Sequence, residues 1–362
     1  MSADTSTAAT APPVPARPQQ APSWRRFATW DTAVVLVTVG VVLIAALGVD
    51  NFGTGRNFGF LVLELAPVLV LALPLTLIII TGEIDLSVAS TVGLTSAAMG
   101  VMWNAGLPLE TIVPLTVLVG AVLGAVNGFF VTTLGLPSLA VTIGTLALYR
   151  GLAFVLLGDG AVADWPRAFT DWAIGDLGRT PVPNVVLPIL VLVAVFAVVL
   201  HATPVGRAVY ATGANETAAS FSGIATLRLK FWLFVTSGAV AGLVGVFWTL
   251  RFSSARGDNA SGLELTVVAA VLLGGVSIFG GKGALPGVVA GVVLLTSLQN
   301  ALRLASVSAE ALTVVTGFLL IVSVLLPNVL ASARQRIGRR SGPTARPPTT
   351  PGPPAAGERK SR

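Results

Sequence analysis

Long uncharged runs recur along the whole length of this chain. The stretches Thr32–Val49 and Leu65–Ile80 contain no charged residue, and each approaches the ~20 apolar residues that a helix needs to cross hydrocarbon. Only 10% of the 362 residues are charged, whereas an ordinary soluble domain carries about 25%. The chain is therefore expected to reside in a membrane.

The apolar runs predict an all-α, polytopic membrane protein with about ten transmembrane helices. The predicted spans are Thr32–Val49, Phe60–Ile80, Leu86–Trp103, Thr111–Thr133, Leu139–Leu157, Val185–His201, Phe231–Leu250, Leu265–Phe279, Gly287–Ala305 and Ala309–Leu326. An even number of spans places both termini on one side. Arginines near both ends, such as Arg25 and Arg336, make that side cytoplasmic.

The sequence divides into three parts. Residues 1–30 are rich in Ala, Pro and Thr and predict a disordered cytoplasmic tail. Residues 31–330 hold the predicted spans, with a long cytoplasmic loop at 203–229. Residues 331–362 predict a second cytoplasmic tail, which is basic and rich in Pro and Gly.

Few side chains are available for catalysis. The chain has no Cys and a single histidine, His201, which lies where an apolar run meets a basic loop. An integral-membrane enzyme would need a His or Cys centre or a repeated acidic metal motif, so we expect no catalytic residue and no metal site. The basic residues flank spans instead of forming a stripe between aromatics, which argues against nucleic-acid binding.

The loop 203–229 contains residues that typically begin and end a short helix. Asn215 can cap the helix at its N-terminus, Glu216 then lies in the first turn, the small residues Ala218 and Ala219 follow, and Gly223 can end the helix. A tidy connection between spans is the alternative interpretation. We favour a docking surface for a cytoplasmic protein, because such loops seldom combine this length with helix punctuation.

This loop resembles the coupling segment of the permease subunits of ABC-type importers for ribose, xylose, arabinose, rhamnose and autoinducer-2. The family pattern is close to G-x-N-x-x-A-A-x-x-S-G-I, and the matching residues are Gly213, Asn215, Ala218, Ala219, Ser222, Gly223 and Ile224. Three further blocks are similar in the same order: Thr81–Val88, Gly124–Thr145 and Glu264–Gly283. The resemblance covers nearly everything between the tails, and the four blocks taken together are specific.

The resemblance implies partners and a location. A cytoplasmic ATP-binding subunit would dock on the coupling segment and bind ATP and Mg²⁺, an extracytoplasmic sugar-binding protein would deliver the solute, and a second permease subunit would complete the pathway in the lipid of a bacterial cytoplasmic membrane. This chain would hold no cofactor. Gly281-Lys282 fails the phosphate-loop test, since Val276 and Gly283 stand where Gly and Ser or Thr are required.

Polar residues near the spans are candidates for the substrate pathway: Glu83, Asp85, Asn127 and Arg150. Asp85 can instead cap the helix expected to begin at Leu86, and Asn127 can join helices by hydrogen bonds. Arg150 is expected to face a cavity or a carboxylate. The family usually has a small or polar neutral residue at the position of Glu83, so the resemblance assigns no role to that side chain.

Two predicted outer segments are candidate docking surfaces for the binding protein. Gly158–Pro183 is long and aromatic, which suggests an interfacial helix or a docking surface, and Arg251–Gly262 is shorter and charged. The candidate contact residues are Trp165, Trp172, Arg251, Arg256 and Asp258.

The substrate is the least determined feature. The segment Arg251–Leu265 is more similar to the rhamnose-type and autoinducer-2-type permeases than to the ribose-type ones. This similarity favours rhamnose, with autoinducer-2 or a pentose such as ribose or xylose as alternatives. The alternative function is an ion-coupled secondary transporter of a small polar solute, which would need paired carboxylates or broken helices near the midplane.

Overall fold

The computed structural model describes residues 30–340. Its elements in this range are helices α1 Trp30–Gly48, α2 Gly55–Ile80, α3 Val88–Asn104, α4 Leu109–Thr132, α5 Ser138–Leu157, α6 Arg167–Ile174, α7 Val186–Ala202, α8 Pro204–Ala214, α9 Glu216–Phe221, α10 Thr226–Phe252, α11 Leu263–Leu273, α12 Leu285–Leu304 and α13 Ala309–Arg340, with strands β1 Ala161–Val162 and β2 Ala255–Arg256. The all-α prediction is confirmed.

Each predicted span coincides with one helix: α1 to α5, α7 and α10 to α13. Five of these helices, α2, α4, α5, α10 and α12, are long and apolar enough to cross a membrane by length and composition. Helix α7 with α8 makes a sixth if the pair, bent by 66°, counts as one span. Shorter apolar helices are Thr32–Gly48, Leu263–Leu273 and Ala309–Ser323.

The tails lie mostly outside the described residues. The predicted tail 1–30 is outside them except for Trp30, and the predicted tail 331–362 is outside them beyond Arg340. Helix α13 runs to Arg340, so the segment 331–340 continues the last helix.

Helix α2 is the central element of the bundle. Every residue from Ala66 to Ile80 is buried, and these residues form much of the largest apolar cluster with side chains of α7, α10, α11 and α12. Pro67 and Pro74 lie inside the helix. A helix that is apolar on all sides is expected at the centre of a membrane bundle, where neighbouring helices can compensate for the carbonyls that proline frees.

Helices α4 and α10 touch along a seam of glycines. A Cβ atom on Gly120 would collide with the carbonyl oxygen of Gly238, and one on Gly124 would collide with that of Phe234. The reverse also holds, because a Cβ on Gly238 would collide with the Gly120 carbonyl. The small-residue pair Gly124 and Gly128 is therefore a packing motif, as its spacing indicates.

Irregular backbone interrupts the bundle in three places. Residues 81–87 separate α2 from α3, residues 253–262 separate α10 from α11, and residues 274–284 separate α11 from α12. Helix α11 ends at Leu273, well before the predicted end at Phe279. The Gly-rich sequence after Leu273 explains the difference, since Gly275 and Gly280 adopt positive φ angles that a helix cannot contain.

The interruptions lie at two opposite ends of the bundle. One end holds the segment 81–87, helices α8 and α9, and the Gly-rich loop 274–284, because Gly213 packs against the Ile80 carbonyl and the Gly281 N–H donates to it. The other end holds β1, β2 and α6. Here Ala161 pairs with Arg256, and Val162 pairs with Ala255, in an antiparallel two-stranded sheet.

Candidate functional site

The break between α2 and α3 contains a buried carboxylate. Asp85 is 2% exposed. Its Oδ1 atom accepts hydrogen bonds from the Ser87 N–H at 3.0 Å and the Ser87 hydroxyl at 2.7 Å, and its Oδ2 accepts one from Ser237 of α10 at 3.1 Å. Several donors therefore compensate for removing this group from water. Helix α3 begins at Val88, two residues later than predicted, and Asp85 bonds the backbone just before it.

A hydrogen-bond network joins this break to α4 and α5. The Asn127 side-chain amide donates to the Ser87 hydroxyl at 2.7 Å. The Tyr149 hydroxyl donates to the carbonyl of Leu123 at 2.9 Å and lies 3.5 Å from Asn127 Oδ1. Asn127 and Tyr149 are both buried. In this conformation Asn127 joins helices, which is one of its two predicted roles.

A second set of charged groups connects the same break to α9. The Lys230 ammonium, at the start of α10, lies 2.7 Å from Glu83 Oε1 and 2.7 Å from Glu216 Oε2. The side chains are 6% exposed for Lys230, 17% for Glu83 and 44% for Glu216. The ion pairs thus run from a nearly buried position at the break to the surface of α9. This helix lies in the loop 203–229, the predicted coupling segment.

The coupling segment contains two helices where one was predicted. Helix α8 occupies Pro204–Ala214, and α9 follows after Asn215, whose side-chain oxygen accepts a hydrogen bond from the Ala218 N–H at 2.9 Å. Gly223 has φ +86° just after α9. The predicted cap and stop are confirmed. The Pro at the first position of α8 favours helix initiation, which explains the additional helix.

The two small residues of α9 face opposite environments. Ala219 is buried, whereas Ala218 and Ser222 are exposed and Phe221 is 90% exposed. The Ser222 hydroxyl donates to the Ala218 carbonyl at 2.9 Å. Ala218, Phe221 and Ser222 therefore form an exposed face suited to contact with another protein.

The coupling segment also contacts α2 through backbone. A Cβ atom on Gly213 would collide with the Ile80 carbonyl oxygen. That oxygen accepts a hydrogen bond from the N–H of Gly281 at 2.8 Å. The Tyr210 hydroxyl donates to the carbonyl of Gly283 at 2.6 Å. The Gly-rich loop thus packs between α8 and α2. Its glycines allow this close packing, and they do not form a phosphate-binding loop.

Arg150 binds backbone carbonyls. Its guanidinium donates to the carbonyl oxygens of Gly257 at 2.8 Å and Asn259 at 2.7 Å, with a longer contact of 3.4 Å to Ala89. The expectation of a cavity or a carboxylate as its direct partner is therefore corrected. The segment 253–262 thus supplies two carbonyl oxygens that accept hydrogen bonds from the half-buried guanidinium, in place of a carboxylate.

The segment 253–262 enters the bundle from the end that holds β2. Ala255 lies against Gly100, near the end of α3, whereas the carbonyl of Asn259 lies 3.0 Å from the Cβ position of Gly93. Seven residues of helix correspond to a depth of about 10 Å. The Asn259 side chain donates to the Ser96 hydroxyl at 2.8 Å. Irregular backbone at such depth is tolerated only where protein supplies its hydrogen bonds.

Three of the predicted docking residues are accessible. Arg256 and Asp258 form an ion pair with an N–O distance of 2.8 Å, and both are half-exposed. The hydrogen bond from Arg256 lowers the pKa of Asp258, and the same bond raises the pKa of Arg256. Trp172, on α6, is 52% exposed. These side chains belong to the end of the bundle where β1 and β2 pair.

The other two predicted docking residues are packed into the protein. Trp165 is 5% exposed, its ring lies 5.2 Å from that of Trp103, and its Nε1 donates to the Val162 carbonyl at 3.1 Å. Arg251 donates to the carbonyl of Leu63 at 2.6 Å. Both side chains already have partners within the chain, so they are removed from the predicted docking surface.

The segment Gly158–Pro183 contains the short helix α6, which borders an apolar cavity of about 550 Å³. Residues of α2, α6, α7 and α10 line this cavity, among them Val70, Trp172, Ile189 and Phe247. Its lining offers almost no hydrogen-bonding group. It does not suit a sugar, whose hydroxyls need placed polar partners.

Sequence reasoning missed several residues of these networks. These residues are Lys230, Ser237 and Tyr149. Lys230 and Glu83 are 147 residues apart, so no local spacing reveals their contact. The sequence shows only that Lys230 is the innermost of two basic residues in the first turns of α10, and such a residue needs a partner when it is buried.

The family model described as the permease component of the branched-chain amino acid transport system matches residues 57–324. The autoinducer 2 import system permease protein LsrD of Yersinia enterocolitica is 33% identical over 313 residues, which cover 83% of this chain and 92% of that protein. LsrD of Photorhabdus temperata is 32% identical over 302 residues, 82% of this chain and 90% of that protein.

A solved metal-chelate type ABC transporter in an inward-facing conformation aligns with 83% of this chain and 99% of its own, at 15% identity and a TM-score of 0.44. The family match and the apolar helices are those of a multi-pass cytoplasmic-membrane protein. The four sequence blocks predicted this assignment. The chain therefore belongs to the family of transport-system permease components, the membrane-spanning subunits of ATP-binding-cassette importers.

Proposed function

We propose that this chain forms, with a second permease subunit, the pathway of an importer powered by a cytoplasmic ATP-binding subunit and supplied by a soluble binding protein. ATP and Mg²⁺ are bound by the partner, and this chain carries no ATPase site. The observation that carries the proposal is the build of the coupling segment. A capped helix with an exposed face at Ala218 and Phe221 is anchored through Gly213 to the central helix.

The importer works by alternating access. The binding protein favours the outward-open state and ATP hydrolysis resets it, so each partner acts only through its different affinity for the two states. Arg256, Asp258 and Trp172 are the proposed contacts of the binding protein. Residues 213–223 are the proposed contacts of the ATP-binding subunit, with both termini on its side of the membrane.

The proposed cargo is a small polyhydroxylated solute. The relatives named above are autoinducer 2 permeases and cover most of this chain, so autoinducer 2 takes precedence over rhamnose, which the segment Arg251–Leu265 had favoured. Ribose and xylose remain alternatives of the same chemical class. The binding protein is expected to make much of the selection.

Transport by the assembled complex in proteoliposomes tests the mechanism. We expect uptake to require ATP on the coupling-segment side and to persist when ionophores collapse ion gradients. An ion-coupled secondary transporter gives the opposite pattern. Uptake by this chain alone, driven by a proton or sodium gradient, would refute the importer proposal.

Competition experiments test the cargo. Unlabelled autoinducer 2, rhamnose, ribose, xylose and leucine are compared as inhibitors of uptake, and the ligand of the cognate binding protein is measured by calorimetry. We expect autoinducer 2 to compete at the lowest concentration. Preference for leucine, the class named in the family description, would overturn the polyhydroxylated cargo while leaving the importer mechanism intact.

Replacing both Ala218 and Ala219 by Trp tests the docking face. Ala218 is exposed, so a Trp there obstructs the proposed contact, and Ala219 is buried against the protein. We expect loss of the ATP-binding subunit from the purified complex and loss of uptake. Retention of both would refute the assignment of the coupling segment.

A further inference from the structure

Lys230 lies at a junction of three elements. It is in the first turns of α10, and its ammonium contacts one carboxylate from the α2–α3 break and one from α9. Glu83 and Glu216 are 133 positions apart in the sequence. Lys230 is therefore the side chain through which the break and the coupling segment are joined by charge.

The ammonium is nearly buried, which makes its partners important. At 6% side-chain exposure, Lys230 has little water to replace a lost carboxylate. Removing one partner of a buried charge is expensive because the remaining charge is left uncompensated. Glu216 is 44% exposed and Glu83 only 17% exposed, so the contact with Glu216 is the easier of the two to break.

Each carboxylate is attached to a segment with a proposed role. Glu216 is the first residue of α9, next to the cap Asn215. Glu83 lies two residues before Asp85, whose hydrogen bonds through Ser87 reach Asn127. The Lys230 ion pairs thus connect α9 to a residue beside the buried polar network of the break.

We propose that Glu216, Lys230 and Glu83 form an ion triad that transmits movement of the coupling segment to the α2–α3 break. All three are positioning residues, and Lys230 is the relay. This inference rests on the proposed function, because it assumes that the ATP-binding subunit moves α9. The backbone contact between Gly213 and Ile80 holds the adjacent end of α8 against the end of α2.

Single charge removals in the complete complex test the triad. In both Glu83→Gln and Glu216→Gln we expect the amount of solute imported per ATP hydrolysed to fall about fivefold or more, the lower range of coupling between sites. The ratio is measured on complexes that contain the ATP-binding subunit, so a change in how much of that subunit binds does not enter it. A merely structural role would lower the yield of folded protein without changing this ratio.

The double variant gives a sharper criterion. The double variant carries both Glu83→Gln and Glu216→Gln. If both carboxylates act through Lys230, its import per ATP should be no lower than that of the worse single variant, because effects within one network are not additive. Independent effects would multiply. The matched control is Arg228→Gln, which removes one positive charge from the same helix end at an exposed position; we expect its ratio to equal that of the unmodified chain.

Reversal of all three charges covers the case in which a single variant does not assemble. The triple variant Glu83→Lys, Lys230→Glu, Glu216→Lys restores both ion pairs with opposite sign, and we expect it to recover import per ATP. Unchanged ratios in the single variants, or a reversed triad that assembles without coupling, would overturn the triad. Failure of the unmodified complex to import with ATP would instead refute the proposed function.

Discussion

The carbonyl oxygen of Ile80 accepts a hydrogen bond from the Gly281 N–H at 2.8 Å, although the two residues are 201 positions apart in the sequence. Gly213 packs against the same carbonyl. The last turn of the central helix, the Gly-rich loop and the end of α8 thus meet at one oxygen atom. A side chain at Gly213 cannot be accommodated without moving one of the three.

Gly213→Ala should therefore damage the protein. Its Cβ would be placed on the Ile80 carbonyl, and we expect a loss of about 1–3 kcal/mol in the free energy of unfolding, typical of overpacking, together with loss of uptake. Thermal unfolding in detergent and transport assays measure the two effects. Gly144→Ala is the control, because a Cβ there has no atom within 4 Å; equal stability of the two variants would contradict the contact.

Gly124→Ala is expected to separate α4 from α10. The new methyl group would strike the Phe234 carbonyl across the glycine seam, and small residues are required where helix backbones approach this closely. We predict a lower melting temperature and less folded protein in the membrane fraction. Gly151→Ala, at an open position of α5, should behave like the unmodified chain. A melting temperature unaffected by Gly124→Ala would exclude the close approach.

Arg150→Gln should release the segment 253–262. The substitution removes charged hydrogen bonds to the carbonyls of Gly257 and Asn259, each worth about 1.5–3 kcal/mol. Because the chain has no Cys, a single Cys at the buried position Ala260 reports on exposure. We expect maleimide labelling of Ala260→Cys to be faster when Arg150→Gln is also present. Equal rates would show that Arg150 does not hold the segment.

Asp258 should stay charged to unusually low pH. The hydrogen bond from Arg256 lowers its folded-state pKa below the ordinary 3.8. The stabilisation from this pair is therefore fully present above the ordinary pKa and is lost as the pH falls through the lowered folded value. We expect binding-protein affinity to show no contribution from Asp258 titration between pH 8 and pH 5.

Arg256→Gln tests the origin of that shift. It removes the first cause of the lowered pKa, so Asp258 should protonate at higher pH than in the unmodified chain. Acid dependence of binding-protein association, measured by surface plasmon resonance on nanodisc-embedded complex, should move upward in pH. An unchanged acid limb would show that the pair does not contribute to docking.

The spans could be predicted because the solvent imposes them. Uncharged runs such as Leu65–Ile80 become helices in hydrocarbon whatever their neighbours are, so each predicted span has a helix. The capped helix after Asn215 could also be predicted, because the capping side chain bonds a backbone N–H only three residues further along the chain. Boundaries at breaks were less accurate, because the end of α11 depends on loop packing and not on hydropathy.

Contacts between distant segments could not be predicted. Trp165 has the aromatic, interfacial character expected of a docking residue, yet its ring packs against that of Trp103, in the last turn of α3. Arg150 has an acceptor only because the segment 253–262 folds back to it. A single sequence shows which residues carry charge or aromatic rings, but tertiary packing decides which of them remain accessible.

The glycine seam is expected to couple the movements of α4 and α10. Their backbones are in direct contact, with no side chains between them that could rearrange, so the two helices should tilt together as one rigid body. Lys230 lies at the end of α10 beside the coupling segment, and Leu250 lies near the opposite end of the same helix. Movement of α9 would then be expected to tilt both helices and to shift the segment 253–262, which follows α10.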